Sequence, residues 1–592
     1  MRTAEAIISV LRERGKKKAN LNRVYRLLYN KELYLKAYAN IYANSGAMTP
    51  GTTNETADGM SVDLIDEIIE ELRQERFKWT PVKRIYIPKK NGKTRPLGIP
   101  TWQDKIVQEV MRMLLEAYYE GRFWKYSHGF RPGKGCHTAL WEIQTSWKGT
   151  IWFIEGDIEK CFERIDHETL LNIIKRDVKD GRFINLLRGL LKAGYMENWR
   201  YHSTYSGTPQ GGIISPLLAN IYMHEFDSWV VSELLPKYTT GKKRKANLEY
   251  RKLTNHVYRI RKGESTGNLR ELRKRMRTVP SQVMDDPGYR RLNYIRYADD
   301  TLCGFTGPKE EAEKIKEEMA EWLQDNLKLT LSPEKTLITH AKTESAMFLG
   351  YELSTMQKDY QLDSRKRRNS NGRISLRVPV SVINEKSNEY LSEDRKLALD
   401  SDYDIVTRYQ AIYRGLANYY MMADNVCHLD HVRWNMQGSL LKTLAMKHKS
   451  SVKKMSKKLK TTHNGKPCLE VTVQRDGKKP LIARFGGISL KVNKKATIKE
   501  YKPQVWNTRT EIVQRLLADE CEVCGSSEKI QVHHVRKLAD LKKKYRGKRM
   551  PSWVKHMSSR NRKTMMVCHS CHTDIHAGSP LNWKESLESR MH

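Results

Sequence analysis

Two adjacent aspartates constrain this chain more than any other feature. Tyr294-Ile295-Arg296-Tyr297 and Thr301-Leu302-Cys303-Gly304-Phe305 are aromatic, β-branched and apolar runs, and Asp299-Asp300 stands between them. Such residues fit strands. The acidic pair falls where a tight turn would join the strands, so the pattern predicts a β-hairpin with Asp299 and Asp300 at its tip. Neighbouring carboxylates repel each other, and a hard divalent cation such as Mg²⁺, which takes oxygen ligands, resolves that repulsion. An acidic surface turn has the same local sequence, so the pair gains meaning only from the rest of the chain.

A third carboxylate ends another apolar run. Ile151-Trp152-Phe153-Ile154-Glu155-Gly156-Asp157-Ile158 suits a buried central strand that delivers Asp157 at its end. Asp157 either caps the next helix or joins Asp299 and Asp300 in a two-metal site. In such a site one ion acidifies a primer 3′-hydroxyl and the other steadies the leaving pyrophosphate. Phe162 is spaced either to stack beneath an incoming sugar and exclude a 2′-hydroxyl, or to fill the core.

Size and charge bound the partners. A chain of 592 residues exceeds one ordinary core, so three or four domains are expected. The net charge of +39 calls for a polyanion, nucleic acid first and an anionic membrane surface second. No apolar run approaches a membrane span, and the mean hydropathy is −0.69. Met1 to Ile8 lead into a basic amphipathic stretch without the apolar core of a secretory signal. Of nine cysteines, four form two Cys-x-x-Cys pairs in the last 72 residues, the spacing of a metal site in a reducing compartment rather than of disulfides.

Residues 1–45 read as helix, and 61–77 as an amphipathic helix opened by Ser61. Alternation over 82–100 predicts a basic hairpin. It either closes over a triphosphate with Lys89, Lys93 and Arg95 or is simply solvated. Gly207-Thr208-Pro209-Gln210-Gly211-Gly212 is a Gly/Pro-rich loop running into a helix, which permits close backbone approach to a nucleotide or template. Residues 241–280 hold 14 Lys/Arg against 3 acids, a solvated helix face or an RNA phosphate contact. Ser364 to Gly372 form a polar basic linker. Residues 400–460 read as helices, with seven Lys and no acid over 447–460. Residues 461–515 read as a basic connecting module with a hint of strand near Leu469–Val473.

Seven blocks taken together resemble the reverse transcriptases encoded by group II introns, the maturase family. They are Arg95-Pro96-Leu97-Gly98-Ile99-Pro100, His128-Gly129-Phe130-Arg131-Pro132, Gly156-Asp157-Ile158-Glu159-Lys160-Cys161-Phe162, Thr208-Pro209-Gln210-Gly211-Gly212, Tyr297-Ala298-Asp299-Asp300, Leu331-Ser332-Pro333-Glu334-Lys335-Thr336 and Phe348-Leu349-Gly350-Tyr351. The resemblance implies an α+β multidomain chain with a right-hand polymerase, fingers and palm over 1–360. A linker and helical thumb (domain X) would follow over 361–460, and a basic DNA-binding region over 461–515. It implies Mg²⁺ held by Asp157, Ile158, Asp299 and Asp300. Lys89, Lys93, Arg95, Phe162, Gln210 and Gly211 would meet the dNTP, and Lys442, Lys447 and Lys449 the phosphates of a group II intron RNA.

Cys521, Cys524, Cys568 and Cys571 carry the signature of a closed tetrahedral zinc site. Such a site would hold together a module with little apolar content. With Val532-His533-His534-Val535 and Cys571-His572-Thr573-Asp574-Ile575-His576, residues 516–592 resemble an HNH (ββα-metal) endonuclease. By that resemblance His533, His572 and His576 hold a divalent ion and His534 is the general base. No Asn stands at the usual spacing before the last Cys pair, and Asn561 is the nearest. The whole reads as an intron mobility protein that assists splicing, nicks target DNA and extends the new 3′-hydroxyl by reverse transcription. Its setting would be a bacterial cytoplasm at the nucleoid or an organellar matrix, with no membrane partner, and a homodimer is an admissible assembly. The alternatives are a non-catalytic splicing factor, or a reverse transcriptase of another retroelement lineage with a fused zinc DNA-binding module.

Overall fold

Strands of the acidic segments lie in one five-stranded sheet, ordered Ile338–His340, Trp152–Asp157, Asp300–Thr306, Arg291–Tyr297, Ser127–His128. The computed structural model describes residues 3–44, 46–88, 92–204, 206–207, 211–283, 286–356, 372–475, 478–495, 511–545 and 550–583. All neighbours in this sheet are antiparallel except the last pair. Side chains alternate across a strand, and here both faces are covered. Ile154, Tyr294, Cys303 and Phe305 enter one core, while Phe153, Ile295 and Leu302 enter another. This double burial explains the unbroken apolar run before Asp157.

Beneath the first face lie the helices Ser215–Trp229 and Lys309–Leu327. Trp229 and Trp322 stack at 5.3 Å, and Phe226 packs edge-on against Tyr294 of the sheet. The basic hairpin forms from Val82–Pro88 and Thr94–Ile99, in register from Lys83↔Ile99 to Pro88↔Thr94. Ser61 caps the helix Val62–Arg73 by accepting from Leu64 N. The first 45 residues are not one helix. Ala4–Lys16 and Lys31–Ile41 are separated by a 3-10 turn at Tyr25–Tyr29, and Arg23 adopts φ +56 just before it.

On the second face, Asp402–Tyr419, Leu429–Lys447 and Val452–Leu459 are helical. The stretch after them is more ordered than a connecting module. Lys460–His463, Lys466–Arg475 and Lys478–Gly486 make an antiparallel sheet. Leu469, Val471, Ala483 and Phe485 point into the helices' core, and Gln410 exchanges hydrogen bonds with the backbone of Gly486 at 2.9 and 3.1 Å. Only one face of this sheet is apolar, which is why so few apolar residues build it.

The C-terminal module likewise does not stand alone. Ile530–His534 pairs with Thr564–Cys568, and the helix His569–Ala577 follows. A third strand, Met60–Ser61, comes from the other end of the chain and pairs as Met60↔Val532 and Ser61↔Gln531. Val523, Val532, Met566 and Ile575 accordingly share a core with Ala57, Met60 and the N-terminal helices. The module's own thin apolar content is supplemented from there.

Candidate active sites and metal centres

Asp157 and Asp300 are register partners on adjacent strands, and Asp300 also pairs with Tyr297 across the hairpin. Asp299 lies in the two-residue turn between. The turn is clamped from both sides. Ala298, at φ +56, donates its N–H to His128 O at 2.9 Å, and its carbonyl accepts from Arg296 Nη1 at 2.6 Å. Arg296 is wholly buried and makes four further hydrogen bonds, two to the Asp227 carboxylate and one each to Asn220 Oδ1 and Ser127 Oγ. All five guanidinium donors are thereby used. Asp227 also accepts from Tyr294 OH at 2.8 Å. The helix opened by the Gly/Pro-rich loop thus holds the acidic hairpin through Asn220 and Asp227.

Burial pushes Asp300 up to about 6, helped by the charges of Asp299 and Asp157. Burial also raises Asp299, with Asp157 adding to it and Arg95 opposing it. The raised Asp299 and Asp300, with Asp157 beside them, fit a divalent cation. Lys335 reaches Asp157 at 2.9 Å and its own pKa rises through that bond. Ile158 is buried and bridged to Leu331, so only its backbone carbonyl is of the type that binds Mg²⁺.

The C-terminal module carries two tighter clusters. Among the described residues, Cys521, Cys524, Cys568 and Cys571 bring their sulfurs within 4.8 Å of one another. Cys524 N and Cys571 N donate to the sulfurs of Cys521 and Cys568 at 3.5 Å. Four converging thiols fit Zn²⁺. The second cluster is His533, His572, His576 and Asp58. His572 and His576 share one helix face, with Nε2 atoms 3.2 Å apart. His533 is 4 % exposed and neither of its ring nitrogens is hydrogen-bonded. Burial lowers its pKa and pushes that of His534 down to about 4, so both are neutral at pH 7. Burial alone would raise Asp58, but the imidazoles of His533 and His572 beside it outweigh burial and hold its carboxyl well below the usual carboxylate range.

Comparison with known proteins bears on both sites. The reverse transcriptase (RNA-dependent DNA polymerase) family matches residues 87–258 and 266–353, the type II intron maturase family 392–516, and the AI2M/AI1M-like HNH endonuclease family 521–572. The group II intron-encoded protein LtrA of Lactococcus lactis subsp. cremoris is 38 % identical over 582 residues, covering 93 % of this chain and 95 % of the relative. The chain belongs to the group II intron-encoded proteins. An uncharacterized 91 kDa protein in the cob intron of Schizosaccharomyces pombe is 36 % identical over 578 residues, 93 % of this chain and 69 % of its own. The putative COX1/OXI3 intron 1 protein of Saccharomyces cerevisiae is 32 % identical over 587 residues, 94 % and 69 %. By domain content this intron-encoded protein is an RNA-directed DNA polymerase, a maturase and an HNH DNA endonuclease, and the group II match runs against a reverse transcriptase of another lineage.

Lys89 and Gln210 lie outside the described residues. Lys93 and Arg95 are exposed on the basic hairpin. Gly211, at φ +104, packs so closely on that hairpin that a Cβ would sit 2.5 Å from Gly98 O. The loop and the hairpin therefore form one surface. Phe162 is half-buried and edge-on to the exposed Phe130 at 6.3 Å. Lys442 donates to Leu391 O, Lys449 is exposed, and Lys447 is drawn to Asp402 at 2.6 Å. The basic insertion forms two helices, Leu248–Arg261 and Leu269–Met276. Asn561 sits exposed in a left-handed turn before Thr564–Cys568. Asp58, Asp227 and Arg296 carry no local signal of these roles in the sequence. A lone Asp in Ala57-Asp58-Gly59 gives no sign of histidines 475 positions away.

Proposed function

We propose that Asp157, Asp299 and Asp300, with the Ile158 carbonyl, hold the Mg²⁺ of the reverse transcriptase. The observation that carries this is the register pairing of Asp157 with Asp300, with Asp299 in the intervening turn. When bound, the two ions supply acid strength to the primer hydroxyl and positive charge to the pyrophosphate. The chain's own residues orient the reactants. Lys93 and Arg95, with Lys89, meet the triphosphate, Gly211 with Gln210 allows close backbone approach, and Phe162 excludes a 2′-hydroxyl from beneath the sugar.

On this reading residues 1–360 are fingers and palm, and 361–460 are linker and domain X. The sheet over 460–486 extends domain X toward target DNA within the basic region 461–515, and residues 516–592 are the nuclease. His533, His572 and His576 bind the nuclease's divalent ion, and neutral His534 accepts the proton of the attacking water. Zn²⁺ in the four-cysteine site holds the module. Lys442, Lys449 and the helices of 241–280 offer phosphate contacts to intron RNA, while Lys447, held by Asp402, contributes charge. Among the described residues no helix is long and apolar enough to cross a membrane. A bacterial or organellar setting agrees with the relatives' sources.

The test is primer extension on an RNA template with dNTPs and Mg²⁺, comparing wild type with Asp299→Ala, and strand nicking assayed in parallel. Extension by wild type alone, with nicking kept in both, supports the assignment. Extension by Asp299→Ala overturns it. Failure of the nicked strand to serve as primer would separate the two activities.

A further inference from the structure

The nuclease cluster contains a carboxylate from the opposite end of the chain. Asp58 Oδ1 lies 3.1 Å from His572 Nε2 and 3.3 Å from His533 Nδ1, and Asp58 Oδ2 lies 2.9 Å from His576 Nε2. With His572 and His576 3.2 Å apart, these four separations, taken over both carboxylate oxygens, are close to the edge length of a coordination tetrahedron, and one ligand atom of each of the four side chains lies within 4.8 Å of the others. Ligands bound at about 2.1 Å in a tetrahedron stand about 3.4 Å apart.

The surroundings are arranged for metal ligation. His572 Nδ1 meets Gln531 Oε1 at 2.8 Å, and the same amide's Nε2 meets His569 Nδ1 at 3.4 Å. The first contact puts the His572 proton on Nδ1 and leaves a lone pair on Nε2, facing the cluster. His533 contributes a buried ring with no hydrogen bond, although its Nδ1 is near Asp58. Nitrogen lone pairs and a carboxylate converging on one point call for a cation.

Nor does Asp58 reach the cluster by chance. Gly59 N donates to Val532 O at 2.9 Å, Met60–Ser61 continues the pairing, and His534 N donates to Asp58 Oδ1 at 2.7 Å. The strand pairing that brings the N-terminal segment into the nuclease sheet delivers this carboxylate.

We propose that Asp58 is the fourth protein ligand of the nuclease metal, so that the site is assembled from both ends of the chain. Three imidazoles and one carboxylate suit a borderline transition-metal ion better than Mg²⁺, which favours all-oxygen shells. The inference rests on the assignment of His533, His572 and His576 as metal ligands.

The experiment uses the full chain with zinc in its cysteine site, titrated with Co²⁺ and followed by visible ligand-field absorption. The variants are Asp58→Ala, Asp58→Asn and His576→Ala. Asp58→Asn keeps an acceptor for His534 N and guards against a folding defect, checked by circular dichroism. Both Asp58 variants are expected to bind Co²⁺ at least about tenfold more weakly with an altered spectrum, as is His576→Ala. Wild-type affinity and spectrum in both Asp58 variants, with loss in His576→Ala, overturns the proposal, and faster nicking in those variants would mark Asp58 as an occluding group instead. Wild-type Co²⁺ binding in all three variants would overturn the histidine site itself, and this proposal with it.

Discussion

Arg296 and Asp227 form an ion pair with neither side chain exposed to solvent, at 2.6 Å between Nη2 and Oδ2. The pair is the far end of a support that reaches the acidic turn through Ala298 O. Removing one member of a buried pair leaves the other charged and unpaired, which costs about 3–5 kcal/mol. Asp227→Ala should therefore destabilise the chain by that order in denaturant unfolding and lose primer extension. Asp227→Asn, which keeps acceptors for Arg296 and Tyr294, should lose less of both.

Spacing between the two carboxylate strands is set by Gly156. A Cβ there would meet Thr301 Oγ1 at 2.2 Å, and that hydroxyl already donates to Gly156 O. Gly156→Ala is expected to move Asp157 relative to Asp300 and lower kcat of primer extension by about 10²-fold, with the KM for template little changed. Adding Thr301→Ala should restore part of the rate. Equal losses in the single and double variants would show that the clash is not the cause.

Asp104 provides a pH test at a carboxyl outside both candidate ligand sets. It is buried in the first turn of Trp102–Tyr119, accepts from Thr80 N at 3.2 Å, and burial pushes it up to about 7. Between about pH 4 and pH 7 the folded chain holds a proton that the unfolded chain has released. The folded state therefore loses stability as pH rises through that window, by at most about 1.4 kcal/mol per pH unit. Asp104→Asn removes the loss, so its gain in melting temperature over wild type should be larger at pH 8 than at pH 5. A gain independent of pH would show that Asp104 does not titrate there.

Stripping zinc should be felt beyond the nuclease. Cys568 ends a strand of the shared sheet and caps the helix His569–Ala577 by accepting from Cys571 N. Cys568→Ser or a strong chelator is expected to speed hydrogen exchange across 564–577 and also across 57–61. Exchange that rises only in the C-terminal module would mean that the two ends fold independently.

What the sequence reveals follows the range of the forces involved. The acidic hairpin, the strand ending at Asp157, the Ser61 cap and the paired cysteines are set within a few residues, where strand alternation, capping and ligand spacing act. The sheet over 460–486 is harder to read because its inward set is short, with Leu469 and Val471 buried, Glu470 and Thr472 outward, and Val473 exposed. Asp58, and the pairing of Arg296 with Asp227, depend on contacts across the fold, and single residues of those types occur throughout a chain that is 30 % charged.

The strand Met60–Ser61 also bears on synthesis. It leaves the ribosome some 470 residues before its partner Ile530–His534, which at ~5–20 residues per second is roughly 25–95 s. Within that interval, once Ile338–His340 has emerged, the sheet with Asp157, Asp299 and Asp300 can close, while the sheet of Met60–Ser61 still lacks two of its three strands. The activity that breaks DNA is thus assembled after the polymerase sheet, and a chain interrupted before Ile530–His534 would carry a polymerase domain without a finished nuclease.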